Sequence, residues 1–147
     1  EWAEKELDLF LQVVKPGDIV IDAGANIGAF TVPLAKRVGP TGRVHSFEPQ
    51  KVINQRLITN VVLNDLENVD VYLAALGNTT GTILVPNINY QHSSNFGAVS
   101  LVEPLPNQTE STSYAVPMYR LDEMNFYNPY TQSSCPSFIK MDVERME

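Results

Sequence analysis

The apolar positions of this chain follow helical spacing first and strand spacing soon afterwards. Four residues near the amino terminus recur at helical spacing and predict an amphipathic helix. They are Leu7, Phe10, Leu11 and Val14. Residues 15–18 (Lys-Pro-Gly-Asp) interrupt this helix, and the apolar run 19–21 then predicts a buried strand. A second helix is predicted from about residue 27 to residue 38, where Pro33 fits only if it lies within about the first turn.

Strand and helix patterns continue to alternate along the chain. The remaining predicted elements are strands at 43–47, 68–76, 82–85, 114–119 and 137–144, a helix at 50–64, a helical turn from Leu121, and loops at 86–113 and 125–136. The helix at 50–64 carries a broad apolar face. The order strand, helix, strand, helix, strand implies parallel strands with helices packed on the sheet, which is an α/β fold.

A turn with two glycines, residues 22–28 (Asp-Ala-Gly-Ala-Asn-Ile-Gly), joins the first strand to the second helix. Gly24 and Gly28 allow a sharp bend and a close approach to a bound molecule, and free N–H groups of the following helix are expected to point at the same place. The dinucleotide pattern G-x-G-x-x-G fails twice, because Asn26 and Ala29 stand where its second and third glycines belong. A tight turn that binds no ligand is the alternative.

Two carboxylates flank this turn, because Asp22 ends the first strand and Glu48 ends the second. In a parallel sheet both lie at the carboxyl edge, where such folds bind ligands. Asp22 is predicted to order the turn amides or to attract a cationic group, and an acidic cleft suits S-adenosylmethionine better than a pyrophosphate. Glu48 is predicted to accept hydrogen bonds from both ribose hydroxyls. An exposed carboxylate at the end of a strand is the alternative for Glu48.

Taken in order, these motifs resemble the FkbM-type methyltransferases, a branch of the S-adenosylmethionine-dependent class I enzymes. Residues 21–28 and 44–49 are similar to the two cofactor motifs of that family, and residues 119–123 and 138–144 resemble its later signatures. The resemblance places Glu48 at the ribose. The cofactor-binding residues it implies are Asp22, Gly24, Ala25, Asn26, Gly28, Glu48, Pro49, Ala75, Leu76 and Asp142, with Ala75 and Leu76 near the adenine.

The resemblance implies a Rossmann-like class I methyltransferase fold with a mostly parallel sheet, formed by one domain over residues 1–147. It implies a methyltransferase that uses S-adenosylmethionine and methylates an oxygen of a small molecule or sugar. Two features depart from the family pattern: Arg145 replaces a usual glycine, and the chain ends before the last strands of that fold. The terminal strand is therefore expected at a sheet edge, where it is open to self-association.

These departures favour a truncated or non-catalytic cofactor-binding domain as the alternative. An NAD-dependent oxidoreductase is a less favoured alternative, because Asn26 and Ala29 occupy two of the glycine positions of the dinucleotide pattern.

Asp142 and Glu144 are the candidate catalytic residues. They are two positions apart, so on a regular strand they face the same side and reach the carboxyl edge. Either is a candidate to take a proton from a substrate hydroxyl, provided that it is buried. The alternative is that Asp142 organises the cofactor or Lys140, since methyl transfer depends mainly on in-line positioning.

The composition and charge of the chain limit the classes of partner that it can be expected to bind. The chain of 147 residues is 44% hydrophobic and 18% charged, which suits one folded domain. Its net charge of -7 disfavours nucleic acid as a partner.

The sequence predicts neither a metal site nor a membrane span. His45 and His92 lack the spacing of metal ligands. No apolar run reaches the roughly 18 residues of a membrane span. The single cysteine, Cys135, favours a reducing compartment and a cytoplasmic location.

Overall fold

The computed structural model of the chain describes residues 2–87 and 113–143. Its helices are α1 Trp2–Val13, α2 Thr31–Val38 and α3 Lys51–Leu63. Its strands are β1 Ile19–Ala23, β2 Arg43–Phe47, β3 Val69–Tyr72, β4 Ala75–Leu76, β5 Gly81–Pro86, β6 Ser113–Tyr119 and β7 Phe138–Met141. A short 3-10 helix, Leu121–Glu123, follows β6. Most of the predicted loop 86–113 falls on residues 88–112, which lie outside the described residues.

Four parallel strands form the main sheet, in the order β3-β2-β1-β7. Asp22 of β1 lies in register with Ser46 of β2 on one side and with Lys140 of β7 on the other. A second sheet has the order β4-β6-β5, with β4 parallel and β5 antiparallel to β6. Parallel strands joined through helices confirm the predicted α/β fold with a mostly parallel sheet.

The two faces of the main sheet are covered by different elements. On one face, Val20 and Val44 pack with Leu34 and Val38 of α2, and Phe10 of α1 lies against this cluster. α3 adds Leu57 and Val61 beside Ala25 on that side. The opposite face packs against the chain after β3 and against the loop after the 3-10 helix; its buried cluster comprises Ile19, Ile21, Ala23, Phe47, Ala74, Leu76 and Phe126. The turn after β1 therefore emerges between two packed layers.

Among the differences from the predicted elements, three concern α2, the strand at 68–76 and α3. α2 begins at Thr31, about four residues later than predicted, which places Pro33 in the first turn, where a helix does not use its N–H. The predicted strand 68–76 is two strands, because β3 belongs to the main sheet while β4 pairs with β6. The apolar face of α3 is narrower than predicted, since Ile58 and Val62 are 44% and 66% exposed.

The terminal strand lies at an edge of the main sheet, as predicted. Within the described residues β7 pairs with β1 and with no other strand. It ends at Met141, shorter than the predicted span 137–144, and its residues Ile139 and Met141 are 46% and 48% exposed. Self-association through this edge stays a prediction.

His45 is a buried titratable residue on β2. Its ring packs on Phe126 with centroids 4.7 Å apart, and its Nδ1 lies 3.1 Å from the Tyr72 hydroxyl and 3.4 Å from the Asp70 carboxylate. Its Nε2 has no hydrogen-bond partner among the described residues. Burial lowers the pKa of His45, although the charge of Asp70 acts in the opposite direction. The fold therefore favours the neutral imidazole.

A His45→Phe variant is expected to keep more of its stability than the wild type as the pH falls below 6.5. The unfolded chain takes up a proton at the ordinary histidine pKa of 6.5, whereas the folded chain resists it. The contribution of neutral His45 to the free energy of unfolding is complete above that pH. Below it the contribution falls by at most about 1.4 kcal/mol per pH unit. Urea unfolding of both proteins from about pH 7.5 to about pH 5 measures the difference. Stability curves that run parallel over this range would contradict the prediction.

Candidate functional site

The N–H groups of the turn after β1 are all engaged inside the protein. Each N–H of residues 24–28 donates to an acceptor of the chain. In order, the acceptors are the Phe47 carbonyl twice, Glu48 Oε2, the Asn26 side-chain oxygen and the Ala25 carbonyl, at 3.0, 3.0, 3.0, 2.8 and 2.9 Å. The prediction that free N–H groups of the following helix point at a ligand is therefore wrong for Ile27 and Gly28, the two of these five residues that lie within the predicted helix. The turn keeps none of these donors for a phosphate group.

The backbone conformation favours glycine at both positions of the turn, and at Gly24 a contact with the backbone also requires it. Gly24 has a φ of +71°, and a Cβ at this position would overlap the backbone carbonyl of Asp142. Gly28 has a φ of +94°, and a Cβ there would lie 2.8 Å from Leu57 Cδ1. The close approach inferred from the sequence is thus an approach to the chain after β7 and to α3. Asn26 has a φ of +51°, a conformation that asparagine tolerates better than most residues.

Asp22 lies beneath the turn and is fully buried. Its Oδ2 accepts a hydrogen bond of 2.6 Å from the Thr31 hydroxyl, which also lies 3.0 Å from the Ser46 hydroxyl. Its Oδ1 lies 3.2 Å from Lys140 Nζ, in an ion pair. The predicted roles of Asp22 need correction: its carboxylate accepts no bond from the turn amides, and burial and the ion pair keep it from direct contact with a cationic ligand in this arrangement.

Glu48 stands beside the turn at the carboxyl edge of β2, as predicted, but it is only 4% exposed. Its Oε2 accepts from the Asn26 N–H at 3.0 Å, and its Oε1 accepts from the Gln50 N–H at 2.8 Å. Burial raises the pKa of Glu48 to about 7, against the opposing effect of these two bonds. Each oxygen retains a second lone pair, so the carboxylate can still accept from a hydroxyl of a ligand. The alternative of an exposed strand-end carboxylate is wrong.

Asp142 follows β7 directly and faces solvent. Its N–H donates to the Ala23 carbonyl at 3.0 Å, while its side chain is 67% exposed, with Oδ2 4.0 Å from Lys140 Nζ. The burial on which the proton-accepting role depends is absent. The contact with Lys140 favours the other interpretation, in which Asp142 organises that lysine. Glu144, the second candidate catalytic residue, lies outside the described residues.

The other predicted cofactor residues flank this edge. Pro49 follows Glu48, and its carbonyl accepts a bond of 3.3 Å from the hydroxyl of Tyr114. Ala75 and Leu76 are buried on β4, where Leu76 packs in the same cluster as Phe47. Their contact with an adenine stays a prediction.

Lys140 is the site residue whose role the sequence analysis missed. It is 6% exposed, and its ammonium meets the carbonyls of the turn as well as Asp22. The available signal was a lysine inside an otherwise apolar strand, because lysine is almost never fully buried unless it is paired.

A family model identifies the chain. The model described as "Methyltransferase FkbM domain" matches residues 22–147, which include the turn, Glu48 and Asp142. The chain belongs to the FkbM methyltransferase family. S-adenosylmethionine is the cofactor of this family of methyltransferases. The resemblance found in the sequence motifs is thereby confirmed.

Individual relatives of this FkbM domain match shorter stretches. A 23S rRNA (uracil(1939)-C(5))-methyltransferase of Acinetobacter baylyi is 39% identical over 59 residues, which cover 40% of this chain and 13% of that protein. A SAM-dependent methyltransferase of Aquifex aeolicus is 32% identical, with a TM-score of 0.41 over 47% of this chain and 36% of its own. A SAM-dependent O-methyltransferase of Thermotoga maritima is 21% identical, with a TM-score of 0.45 over 56% of this chain and 44% of its own. The matched part of this chain thus spans less than half of each relative.

The polar groups at the edge fit the cofactor of the FkbM family. The carboxylates of Glu48 and Asp142 are hydrogen-bond acceptors, while the N–H groups of residues 24–28 are already used. The hydroxyl, amino and sulfonium groups of S-adenosylmethionine favour acceptors or negative charge, whereas its carboxylate and adenine ring nitrogens need donors from other parts of a site. Over the described ranges, no helix is long and apolar enough to cross a membrane, and no three His, Cys, Asp or Glu side chains are grouped to hold a metal.

Proposed function

We propose that this FkbM domain binds S-adenosylmethionine at the turn of residues 23–28 and at Glu48, with buried Asp22 supporting the turn from beneath and Asp142 beside the cofactor, and that it serves methyl transfer. The observation that carries the proposal is the 3.0 Å bond from the Asn26 N–H to Glu48 Oε2, which joins the turn and the carboxylate in one site. A dinucleotide would need free N–H donors for its pyrophosphate, and residues 24–28 have none to offer. The site therefore favours S-adenosylmethionine over NAD.

The proposed acceptor is a hydroxyl of a small molecule or sugar. The net charge of -7 disfavours RNA, although one relative is a 23S rRNA methyltransferase. A sulfonium is already an activated methyl donor, so the main task of the protein is to hold the acceptor oxygen in line with the methyl group. Asp142 is exposed at the edge, where it can orient such an acceptor.

A Glu48→Gln variant is expected to bind S-adenosylmethionine about 10- to 100-fold more weakly than the wild type. One acceptor oxygen becomes an NH₂ donor, which cannot accept a hydrogen bond from the backbone N–H or the ribose hydroxyl that it faces. The expected loss is that of one hydrogen bond to a charged group, about 1.5–3 kcal/mol. Calorimetric titration with S-adenosylmethionine and, separately, with NAD provides the measurement. Glu67→Gln is the matched control, because Glu67 is exposed and immediately precedes Asn68, at the opposite end of β3.

The outcomes of these titrations separate the alternatives. Binding of S-adenosylmethionine by the wild type and the Glu67→Gln control, with a loss in Glu48→Gln, supports the proposed site. Tighter binding of NAD would support an oxidoreductase, and binding of neither ligand would support a non-catalytic domain. Transfer of a labelled methyl group to a panel of sugars, small alcohols and RNA then tests the acceptor, and labelling of RNA alone would overturn the hydroxyl proposal.

The affinity for S-adenosylmethionine is expected to rise with pH up to about 7. Because burial raises the pKa of Glu48 to about 7, cofactor-free protein holds a proton on this group below that pH. Ribose hydroxyl donors favour the ionised carboxylate, so binding must expel the proton, and the affinity falls by up to about tenfold per pH unit below 7. Titrations between about pH 5.5 and pH 8 measure this dependence. A wild-type profile as flat as that of Glu48→Gln would contradict the assignment.

A further inference from the structure

A buried lysine joins the last strand of the main sheet to the turn at the cofactor site. Lys140 Nζ donates to the Gly24 carbonyl at 2.9 Å and to the Ala23 carbonyl at 3.4 Å. It lies 3.2 Å from Asp22 Oδ1 and 4.0 Å from Asp142 Oδ2. The two carbonyls are its hydrogen-bond acceptors, whereas its contact with Asp22 Oδ1, an oxygen without a hydrogen-bond partner among the described residues, is an ion pair. The lysine is therefore placed between the strand end and the turn.

The surroundings hold this ammonium in place. Its partner Asp22 is itself anchored by the Thr31 hydroxyl at 2.6 Å, and that hydroxyl contacts Ser46. Asp22, Thr31 and Ser46 are each fully buried. The ring of Phe30 lies beneath the ammonium, at 5.1 Å from its centroid. Removing two charges from water offsets much of their attraction, so a buried ion pair is weak evidence for added stability. The geometric effect of the pair is the more informative property.

One peptide unit transmits the position of Lys140 to the rest of the turn. The carbonyl of Gly24 accepts from Lys140, while the N–H of Ala25, in the same peptide plane, donates to the Phe47 carbonyl at 3.0 Å. The plane is thus held from both sides. The next N–H, that of Asn26, is directed at Glu48 Oε2. A continuous path of contacts therefore runs from Lys140 through the turn to the proposed ribose-binding carboxylate.

We infer that Lys140 is a positioning residue, whose contact with the Gly24 carbonyl sets the turn and Glu48 in the geometry that binds the cofactor. This inference rests on the proposed function. Asp22 then contributes little electrostatic attraction for a cationic cofactor, because the charge of its carboxylate is compensated by the ammonium of Lys140. Asp142, which is 67% exposed beside the same ammonium, joins Glu48 as a carboxylate that can face the ligand.

The decisive comparison is between a single and a double variant. Lys140→Met removes the ammonium and leaves Asp22 buried without its partner. The double variant Asp22→Asn with Lys140→Met removes both charges, so its thermal stability is expected to recover toward that of the wild type. We expect both variants to bind S-adenosylmethionine at least about tenfold more weakly, because in each the Gly24 carbonyl has lost its donor. Recovery of wild-type affinity in the double variant would overturn the inference and leave Lys140 with charge balance alone.

A second readout does not depend on the cofactor. Amide hydrogen exchange of residues 24–26 in cofactor-free protein is expected to be at least about tenfold faster in the double variant than in the wild type, while exchange in the paired strands β5 and β6 stays unchanged. Lys36→Met is the matched control, because Lys36 is exposed and its ammonium donates to Asn64. Unchanged exchange at residues 24–26 would overturn the inference. If the wild type binds no S-adenosylmethionine, the proposed function fails, and the exchange result still decides the role of Lys140 in the turn.

Discussion

Replacement of Gly24 by alanine is expected to lower the free energy of unfolding by about 3–5 kcal/mol and to remove cofactor binding. The left-handed φ of +71° costs an alanine about 1–2 kcal/mol. The larger part comes from the new Cβ, which would overlap the Asp142 carbonyl. Because the obstacle is backbone, and the Asp142 N–H is bonded to the Ala23 carbonyl at 3.0 Å, a side-chain rotation cannot relieve it.

Gly39→Ala is the matched control for this prediction. Gly39 has nearly the same φ, +68°, and a Cβ there would meet no atom within 4 Å. Its alanine variant therefore carries a conformational cost alone, about 1–3 kcal/mol, because a φ of +68° with a ψ of −172° is essentially restricted to glycine. Urea unfolding of both variants measures the additional loss in Gly24→Ala, to which the contact between the turn and the chain after β7 contributes. Equal losses in the two variants would show that this contact contributes nothing.

Replacement of Asn128 by alanine is expected to cost about 3 kcal/mol of stability. Asn128 is fully buried, and its Nδ2 donates to the carbonyls of Gly17 and Thr41 at 3.1 and 2.8 Å. Its Oδ1 accepts from the N–H groups of Tyr130 and Thr131 at 2.9 and 3.4 Å. The variant would leave two carbonyls and two N–H groups without these partners, and each unsatisfied buried group costs about 1–3 kcal/mol unless water replaces the bond.

Asn125→Ala is the control for Asn128, because Asn125 lies in the same loop and is exposed. Its variant is expected to stay within about 0.5 kcal/mol of the wild type. Gly17 and Thr41 precede β1 and β2, so Asn128 acts at the end of the sheet opposite the cofactor site. The affinity of Asn128→Ala for S-adenosylmethionine, measured well below its melting temperature, should therefore equal that of the wild type. A loss of stability below about 1 kcal/mol would contradict the structural role.

Much of the site could be predicted from the sequence because it depends on local signals. An apolar run before Asp22 and an alternating pattern before Glu48 mark two strands, and parallel strands end at the same edge of a sheet. That reasoning placed Glu48 beside the turn, where the Asn26 N–H meets it. It assigned the wrong neighbour to Gly24, since a glycine signals a close approach without saying what approaches. The neighbour is the Asp142 backbone, more than 100 positions along the chain.

Local sequence signals were sufficient for the α/β class, for the order of strands and helices along the chain, and for the pairing of a turn with a strand-end carboxylate. These follow from hydrophobic period and turn chemistry, which act over a few residues. The contact of Asp22 with Lys140, instead of with a ligand, is visible only in the folded chain. That result depends on the register of β1 with β7, which sets both residues side by side under α2. Register between strands so distant in sequence is fixed by packing of the whole sheet, so a buried ion pair formed by it has no local signature.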